Sequence, residues 1–354
     1  MSIIKLKKEE CNFLPEFLDH EGVFKMEDKQ TGLKGFVAIH NNNLGPALGG
    51  TRMLSYQNEE NALKDVLRLS RAMSYKCALA GVRYGGGKAV IIGDSKKDKN
   101  EDLLRSYARC IGELKGQFYT GEDVGISKKD VQEIMLSEAS YFIGKKNQAE
   151  DPSPFASLST FYSIQAAVES VFNLSSLKGL KVAVKGVGKV GGELVRLLIE
   201  VGAKVIVADI DIEALKKIEE QFSDVEIVEP DQIHKMDVDI YSPCALGDEF
   251  RDDNKTEIKA KIIAGAANNQ LQDERIGDWF YQHNILYIPD YVSNAGGLID
   301  VADELEPGGF QRERVMDRIL SIKDTVKNII ELSKKNNEST NRTANKLAEE
   351  IFNK

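Results

Sequence analysis

The chain has 354 residues, which is long enough for two domains that each bury a core. Its 42% hydrophobic and 29% charged residues are ordinary for a globular protein in water. A formal net charge of −9 argues against a nucleic-acid or anionic-membrane partner. The charged start has no secretory apolar core, and no apolar run is long enough to cross a bilayer, so we expect a cytoplasmic protein.

The cysteines and histidines show no spacing typical of a metal site or a catalytic triad. Cys11, Cys77, Cys110 and Cys244 are scattered along the chain without a CxxC pair. We therefore expect reduced thiols and no bound metal.

The first half of the chain alternates short apolar segments with helical patterns. Apolar residues recur at helical spacing through 59–76, where Asn58 is placed to cap the start and Lys76 ends the pattern. The segment AVIIGD is typical of a fully buried strand, which puts Lys88 at its mouth. The predicted elements, in order, are a strand at 35–40, a glycine-rich turn at 41–53, a helix at 59–76, a strand at 89–94, a helix at 101–115 and a strand at 117–121.

The polar stretch 145–155 contains a PSP turn and is the predicted domain linker. Beyond it, a helix at 157–172 leads to strands that alternate with helices, which predicts a parallel sheet covered on both faces. The strand candidates are 181–185, 238–244, 260–267 and 284–297, and the last stretch, about 310–354, is predicted to be helical.

A glycine turn, Gly186-x-Gly188-x-x-Gly191, follows the strand KVAVK and opens a helix. Asp209 ends the next strand, where a carboxylate can bind ribose hydroxyls. In this strand–turn–helix–strand–acid context the motif predicts a dinucleotide site, although a structural turn in another α/β domain is the alternative. Asp209 favours NAD over NADP because a carboxylate repels the 2′-phosphate, and the nearby Lys204 and Lys185 weaken that preference.

Lys76, Lys88 and Asp123 form the most informative set in the first half. Lys88 lies between three glycines and a buried strand, and Asp123 follows a predicted strand, where catalytic groups collect on α/β scaffolds. Each also has a simpler interpretation: a solvated lysine, a lysine that complements a helix dipole, or a turn residue. Together they provide a cation for a carboxylate, a base for an amine and a proton donor for a carbinolamine oxygen.

Asparagines lie at predicted strand ends in the second half. Asn268, Asn269 and Asn294 are placed to bind a nicotinamide carboxamide or a substrate carboxylate, or to form turns, and the two interpretations have equal weight. Cys244, in SPCALG, is interpreted as a small residue near the cofactor and not as a nucleophile.

Eight motifs in order between about residues 35 and 350 resemble the leucine/phenylalanine/valine dehydrogenases of the glutamate dehydrogenase superfamily. They are GPALGGTRM, MSYK, GGGKAVIIGD, TGEDVG, GVGKVG, PCALG, AGAANNQL and PDYVSNAGG. The resemblance implies an α/β protein of two domains separated by a catalytic cleft. A substrate-binding and dimerisation domain would span 1–148, with a C-terminal helix of about 328–354 packing back on it, and a Rossmann domain would span 149–327.

The same resemblance implies reversible, NAD-dependent oxidative deamination of an apolar L-amino acid to a 2-oxo acid and ammonia, in a homo-oligomer. Lys76 would hold the substrate carboxylate with Asn269, a low-pKa Lys88 would polarise water, and Asp123 would relay protons. The side-chain pocket would be lined by Leu48, Gly49, Gly121, Leu298 and Val301. The residues implied to hold NAD are Gly186, Gly188, Lys189, Val190, Gly191, Asp209, Cys244, Ala245, Ala266, Asn268 and Asn294.

Some positions depart from the family pattern. Ala156 stands where a nicotinamide-binding Thr is usual, with Ser157 or Ser159 as substitutes, and Lys185 replaces a common Gln. Gly121 and Leu298 resemble the phenylalanine and tryptophan enzymes, and the methyl missing at 121 is interpreted as room for an aromatic ring. Branched-chain substrates remain competitors. A glutamate dehydrogenase and a catalytically silent NAD-binding regulator are two rival interpretations of the whole chain.

Overall fold

The computed structural model describes residues 1–144, 151–245 and 247–354. These form two compact units: Met1–Glu150 with Val301–Gln311 and Ala348–Lys354, and Asp151–Asp300 with Arg312–Leu347. The predicted linker, 145–155, lies partly outside the described residues.

The first unit is built on a mixed seven-stranded sheet in the order β1-β2-β3-β6-β4-β7, with β5 paired to β6. Along β1, β2, β3 and β6 each strand runs antiparallel to the next, and β4 and β5 run parallel to β6. Its elements are β1 (Ser2–Lys5), β2 (Gly22–Asp28), β3 (Leu33–Asn41), β4 (Ala47–Leu48), β5 (Thr51–Leu54), α1 (Glu59–Leu79), β6 (Gly85–Ile92), α2 (Glu101–Glu113), β7 (Phe118–Tyr119) and α3 (Lys128–Glu133).

Helix α1 begins and ends for local reasons. The Asn58 side chain accepts a hydrogen bond from the Asn61 N–H at 2.8 Å, as the sequence predicted. The helix packs its buried face on β3 and β6 and ends before Gly81, whose φ of +67° is left-handed. Lys76 therefore lies in the last turn, on an element that contacts the strand carrying Lys88.

Strand β6 begins earlier than predicted, so Lys88 is its fourth residue and does not lie at its mouth. The three preceding glycines pack closely against protein atoms. A Cβ on Gly86 would lie 2.1 Å from the Ser74 nitrogen, and one on Gly87 would lie 2.7 Å from the Phe118 ring. The glycines thus let α1 and β7 close on the strand, which is a packing requirement.

The second unit is built on a six-stranded parallel sheet in the order β10-β9-β8-β11-β12-β13. This sheet confirms the predicted α/β class with a Rossmann-type unit. The elements from this point to the end of the chain are α4 (Ser153–Phe172), β8 (Lys181–Lys185), α5 (Lys189–Glu200), β9 (Lys204–Ala208), α6 (Ile212–Gln221), β10 (Glu226–Ile227), β11 (Ile240–Pro243), β12 (Ile262–Ile263), α7 (Glu274–Gln282), β13 (Leu286–Tyr287), α8 (Asp290–Ser293), α9 (Gly296–Asp303), α10 (Arg312–Asn336) and α11 (Thr340–Phe352).

The predicted strand at 284–297 is wrong beyond Tyr287. Only Leu286 and Tyr287 pair with β12, and Pro289 then opens the short helix α8. Proline has no N–H for the sheet and is favourable at a helix start, so the backbone leaves the strand there.

The C-terminal helices divide between the two units. α10 packs on α4, and Lys323 and Lys327 each lie 2.5 Å from a carboxylate oxygen of Glu169. Residues 312–347 therefore belong to the second unit, whereas the sequence placed the helix of about 328–354 on the first. The correction follows from the apolar face of α10, which is buried along its length at Val315, Ile319, Ile322, Val326, Ile329 and Ile330.

After residue 347 the last seven residues belong to the first unit again. The Phe352 ring stacks on Tyr75 with 5.8 Å between centroids, and the Tyr75 hydroxyl donates to Glu349 at 2.7 Å. Asn43 donates a further hydrogen bond to the Phe352 carbonyl. The chain end is thus tied to α1 one residue before Lys76.

Two histidines are buried beside this contact. His20 and His40 meet edge to face at 4.9 Å between centroids, and their ring nitrogens lie 3.1 Å from the Ser70 hydroxyl and 2.8 Å from the Ser74 hydroxyl. Burial lowers the pKa of His20 to about 4 and that of His40 to about 3. The positive charge of Arg71 also lowers the pKa of both histidines.

These histidines predict acid sensitivity. In the unfolded chain each protonates near the ordinary pKa of 6.5, whereas in the fold each stays neutral to about 4 or 3. The stabilisation is therefore complete above pH 6.5 and is lost as the pH falls toward those values. We expect a loss of about 2 kcal/mol per histidine between pH 7 and pH 5 in urea unfolding. The variant His20→Asn/His40→Asn should lose much of this slope, and His283→Gln, at an exposed site, should keep it. Equal slopes in all three proteins would contradict the assignment.

Candidate active site

Lys88 and Asp123 form an ion pair in the first unit. The Lys88 side chain is 10% exposed and that of Asp123 is 20% exposed. Asp123 lies in the turn after β7, and strand β5 holds both ends of that turn. The Thr51 N–H donates to the Gly121 carbonyl at 2.9 Å, and the Met53 N–H donates to the Val124 carbonyl at 2.8 Å. The sheet thus fixes both members of the pair.

Charges around Asp123 keep its carboxylate ionised. Burial alone would raise its pKa, but the charges of Lys88 and Arg52 and two hydrogen bonds outweigh burial and hold the pKa below its ordinary value. One bond comes from Lys88, and the other from the Val124 N–H to Oδ1 at 2.7 Å. An anionic Asp123 is able to accept a proton.

Arg52 was not predicted from the sequence. Its Nε lies 3.8 Å from Oδ2 of Asp123, and its Nη1 lies 3.2 Å from Oδ2 of Asp65. The signal was an arginine between Thr51 and Met53, which are both fully buried, in the quoted GGTRM motif. Side chains alternate along a strand, so a cation at that position emerges on the other face from two core residues.

The residues predicted to hold the substrate are found in both units. Lys76 is half-buried in the last turn of α1, and Leu48 is fully buried in β4. Gly49 has no room for a side chain, because a Cβ there would lie 2.0 Å from the Gly87 carbonyl oxygen. Leu298 and Val301 share helix α9, but Leu298 belongs to the second unit and Val301 to the first.

The space beside Gly121 is not open. A Cβ at this position would lie 2.7 Å from Cγ1 of Ile143, which is itself buried. The interpretation that the missing methyl makes room for an aromatic ring is therefore wrong, since Ile143 fills that room. The Ile143 N–H also donates to the Thr120 carbonyl at 2.8 Å, which holds the isoleucine beside the turn.

In the second unit, the three motif glycines have distinct surroundings. Gly186 has a φ of +93°, and a Cβ on Gly191 would lie 1.8 Å from the Gly186 carbonyl oxygen. Gly188 is exposed, caps the start of α5, and has no atom within 4 Å of a Cβ position. The first and third glycines thus shape the turn, while the second borders open space at a helix N-terminus, which suits a phosphate.

Asp209 lies at the end of β9 with both oxygens engaged. Oδ2 accepts the Val187 N–H at 2.6 Å, and Oδ1 accepts the Asp211 N–H at 2.9 Å. The residue borders a cavity of about 710 Å³. The other residues that line it are mostly apolar: Ile210, Ile212, Leu215, Ile227, Val228, Glu229, Pro230, Gln232 and Met236.

Lys185 is paired within the second unit. Its Nζ lies 2.8 Å from an oxygen of Glu249, a residue whose side chain is 8% exposed. The Tyr241 hydroxyl donates to the same carboxylate at 2.6 Å. This lysine, which weakened the predicted preference for NAD, is therefore neutralised by a buried acid.

The remaining predicted cofactor residues cluster around the glycine turn and the ends of β11 and β12. Asn294 donates to the Asn268 side chain at 2.7 Å and to the Ala266 carbonyl at 3.0 Å, and Asn269 has a left-handed φ of +53°. Ala245 occupies the space beside Gly186. Burial raises the pKa of the Cys244 thiol, which agrees with a residue that is not a nucleophile. Lys189 and Val190 form the first turn of α5.

Neither serine near Ala156 has an uncommitted hydroxyl. Ser157 donates to the Val190 carbonyl at 2.7 Å, and Ser159 donates to the Ser293 carbonyl at 2.8 Å. Ser159 also accepts the Gly296 N–H. These hydroxyls join α4 to α5 and to the start of α9.

Two family models together span nearly the whole chain. "Glu/Leu/Phe/Val dehydrogenase, dimerisation domain" matches residues 20–140, and "Glutamate/Leucine/Phenylalanine/Valine dehydrogenase" matches residues 152–351. The chain belongs to this family, as the eight motifs indicated, and it is an amino-acid dehydrogenase whose Rossmann-type unit serves a nicotinamide cofactor.

Individual relatives carry three different names. The leucine dehydrogenase of Bacillus subtilis (strain 168) is 44% identical over 338 residues, 95% of this chain and 92% of that protein. The phenylalanine dehydrogenase of Thermoactinomyces intermedius is 43% identical, with 95% and 92% covered. The crystal structure of L-tryptophan dehydrogenase from Nostoc punctiforme superposes with a TM-score of 0.84 at 43% identity, with 95% and 96% covered.

Neither a metal cluster nor a membrane span occurs in the described residues. No group of three or more His, Cys, Asp or Glu side chains in the part of the chain that the structure describes is arranged to hold a metal ion. No helix among these residues is long and apolar enough to cross a membrane.

The packing at Gly121 predicts a stability effect. Gly121→Ala should destabilise the protein by about 1–3 kcal/mol in urea unfolding, because the new methyl overlaps Ile143. Ile143→Ala should relieve that overlap, so the double variant should be more stable than the sum of the two single losses predicts. Gly112→Ala is the matched control, since its Cβ would meet only Ala139 at 3.5 Å. Strictly additive losses at 121 and 143 would show that the two side chains do not compete for one space.

Proposed function

We propose that this enzyme oxidises an apolar L-amino acid to its 2-oxo acid and ammonia, with NAD as the acceptor. The observation that carries the proposal is the Lys88–Asp123 ion pair, which places a proton acceptor and a cationic donor side by side in the first unit. The names of the relatives, leucine, phenylalanine and L-tryptophan dehydrogenase, support an apolar side chain on the substrate.

The chemistry assigns a separate task to each group. Lys76, half-buried at the end of α1, would pair with the substrate carboxylate. Asp123, held as an anion, would take the proton that the substrate amine releases. After it has released the amine's proton to solvent, Asp123 would carry a proton from the attacking water to the nitrogen, which leaves as ammonia. Lys88 would donate a hydrogen bond to the carbinolamine oxygen, where negative charge develops. When bound, NAD accepts the hydride from the α-carbon.

Several features of the second unit support the proposal of NAD rather than NADP. Gly188 and the N-terminus of α5 can receive the pyrophosphate, and the cavity beside Asp209 can receive the adenosine. The Asp209 carboxylate would accept hydrogen bonds from ribose hydroxyls and repel an added phosphate. Lys185 does not offset that repulsion, because Glu249 neutralises it.

The proposed substrate has an apolar side chain, either branched or aromatic. Because Ile143 fills the space beside Gly121, this glycine alone does not favour an aromatic substrate. None of the residues predicted to contact the substrate side chain carries a positive charge, which argues against a substrate with a side-chain carboxylate. We include leucine, valine, phenylalanine and tryptophan as candidates, and a homo-oligomer built through the family's dimerisation domain.

Lys88→Ala should abolish NADH formation from L-leucine and L-phenylalanine and leave NAD binding nearly intact. The loss should lie in kcat and be about a hundredfold or more, because the group acts on the reacting oxygen. Lys25→Ala, which breaks the ion pair with Glu59 elsewhere in the first unit, is the control and should keep kcat. Near-normal kcat in Lys88→Ala would remove the basis of the proposed mechanism.

Asp209 should set the choice of cofactor. The wild-type enzyme should prefer NAD, and Asp209→Ser should shift kcat/KM toward NADP, since the repelling carboxylate is gone. Asp211→Ser is the matched control, because Asp211 caps α6 two residues away. A wild-type enzyme that used NADP as well as NAD would show that Asp209 does not discriminate.

A further inference from the structure

Arg52 lies between two carboxylates near the Lys88–Asp123 pair. Its side chain is 18% exposed, and its Nη1 is 3.2 Å from Oδ2 of Asp65. The Tyr56 hydroxyl donates to the same oxygen at 2.7 Å. The buried Nε lies 3.8 Å from Oδ2 of Asp123 and makes no hydrogen bond with the described residues. Asp65 therefore anchors the Nη1 end of the guanidinium. The Nε–H lies near Asp123, the candidate base, and is available to donate a hydrogen bond to it.

The backbone hydrogen bonds of β5 explain why Arg52 lies close to Asp123. Arg52 lies on β5, the strand whose N–H groups at Thr51 and Met53 hold the turn that carries Asp123. The β5 pairing with β6 places Arg52 opposite Val90, two residues beyond Lys88. The paired strands β5 and β6 thus carry both cations, and β5 also holds the turn that carries the carboxylate. The turn cannot shift without breaking its hydrogen bonds to Thr51 and Met53.

Two cations approach the same oxygen of Asp123, and they differ in chemistry. Lys88 and Arg52 both lie nearest Oδ2. A lysine can turn toward a substrate oxygen, but it then leaves Asp123. An arginine does not lose its proton in proteins and stays charged in every step.

We propose that Arg52 is a positioning residue for the reaction, which keeps Asp123 ionised and in place while Lys88 binds the substrate oxygen. The proposal rests on the role of Asp123 given above. It assigns to Arg52 the hydrogen bond to Oδ2 that Lys88 gives up. A movement of less than about 1 Å brings Nε within normal hydrogen-bond distance.

The groups around Asp123 agree with this assignment. Burial is the largest influence on its carboxylate and favours the neutral acid, and Lys88 and Arg52 oppose it. Among the described residues, Asp65 and Tyr56 are titratable groups that also face the cluster. Burial and the nearby Asp65 raise the pKa of Tyr56, so it remains a hydrogen-bond donor to Asp65 and keeps the anchor of Arg52 in place.

The test is the pH dependence of kcat for the full chain with saturating NAD and L-leucine or L-phenylalanine, measured between about pH 5 and pH 10. Without Arg52 the pKa of Asp123 rises, so the pH below which kcat falls should be higher in Arg52→Gln than in wild type. A loss of folding alone would lower kcat equally at every pH. The KM for NAD should not change.

Two further variants complete the test. Arg52→Lys keeps the charge and should keep the wild-type pH profile, which also serves if Arg52→Gln does not fold. Arg68→Gln removes an exposed cation 3.7 Å from the other oxygen of Asp65 and should have no effect. A pH-independent loss in Arg52→Gln, or a shifted profile in Arg52→Lys, would overturn the proposal.

The role of Asp123 itself is tested separately. An inactive Asp123→Asn with an unshifted Arg52→Gln profile would reject the inference about Arg52 and leave the proposed function standing. A fully active Asp123→Asn would reject the function assigned to Asp123, and the inference with it.

Discussion

The candidate active site in the first unit depends on the ion pair between Lys88 and Asp123. A lysine in the middle of a sheet strand loses most of its hydration, and this is tolerable only when a carboxylate lies against it. Burial of the pair costs solvation free energy. It also strengthens the electrostatic interaction of each member with a bound substrate. Removing one partner would leave an unpaired charge beside the core, so the pair links stability to the proposed chemistry.

Close packing brings these groups together. Gly86 and Gly87 let α1 and β7 approach β6 without side chains between them. Gly50 does the same for the turn, since a Cβ there would lie 2.4 Å from the Glu122 carbonyl oxygen. The glycines therefore act on function indirectly, by fixing the distance between backbone segments that carry the lysine and the aspartate.

Much of the fold and part of the site followed from local patterns. The α1 helix, its Asn58 cap and the strand–turn–helix of the second unit depend on neighbouring residues, so periodicity and glycine spacing predict them. Contacts between distant segments gave no such signal. The helical pattern after residue 310 does not show that α10 packs on α4, and nothing near Gly121 in the sequence indicates that Ile143 fills its space.

Arg52 and Glu249 were missed for the same reason. Each has a role only because of a charged partner on another element, which is Asp123 for Arg52 and Lys185 for Glu249. A sequence pattern can identify lysines beside glycines, but it does not show which acidic side chain pairs with which basic one. In both units the electrostatic arrangement emerged only once the strands were placed side by side.

The central claim is that Lys88 and Asp123 act as one catalytic unit, and a double-mutant cycle on kcat tests it most directly. The proteins are wild type, Lys88→Gln, Asp123→Asn and the double variant, assayed for NADH formation from L-leucine and L-phenylalanine. If the pair acts together, the double variant should lose no more activity than the worse single variant, because either change alone already disables the unit. Losses that multiply in the double variant would contradict a shared role and show two independent contributions.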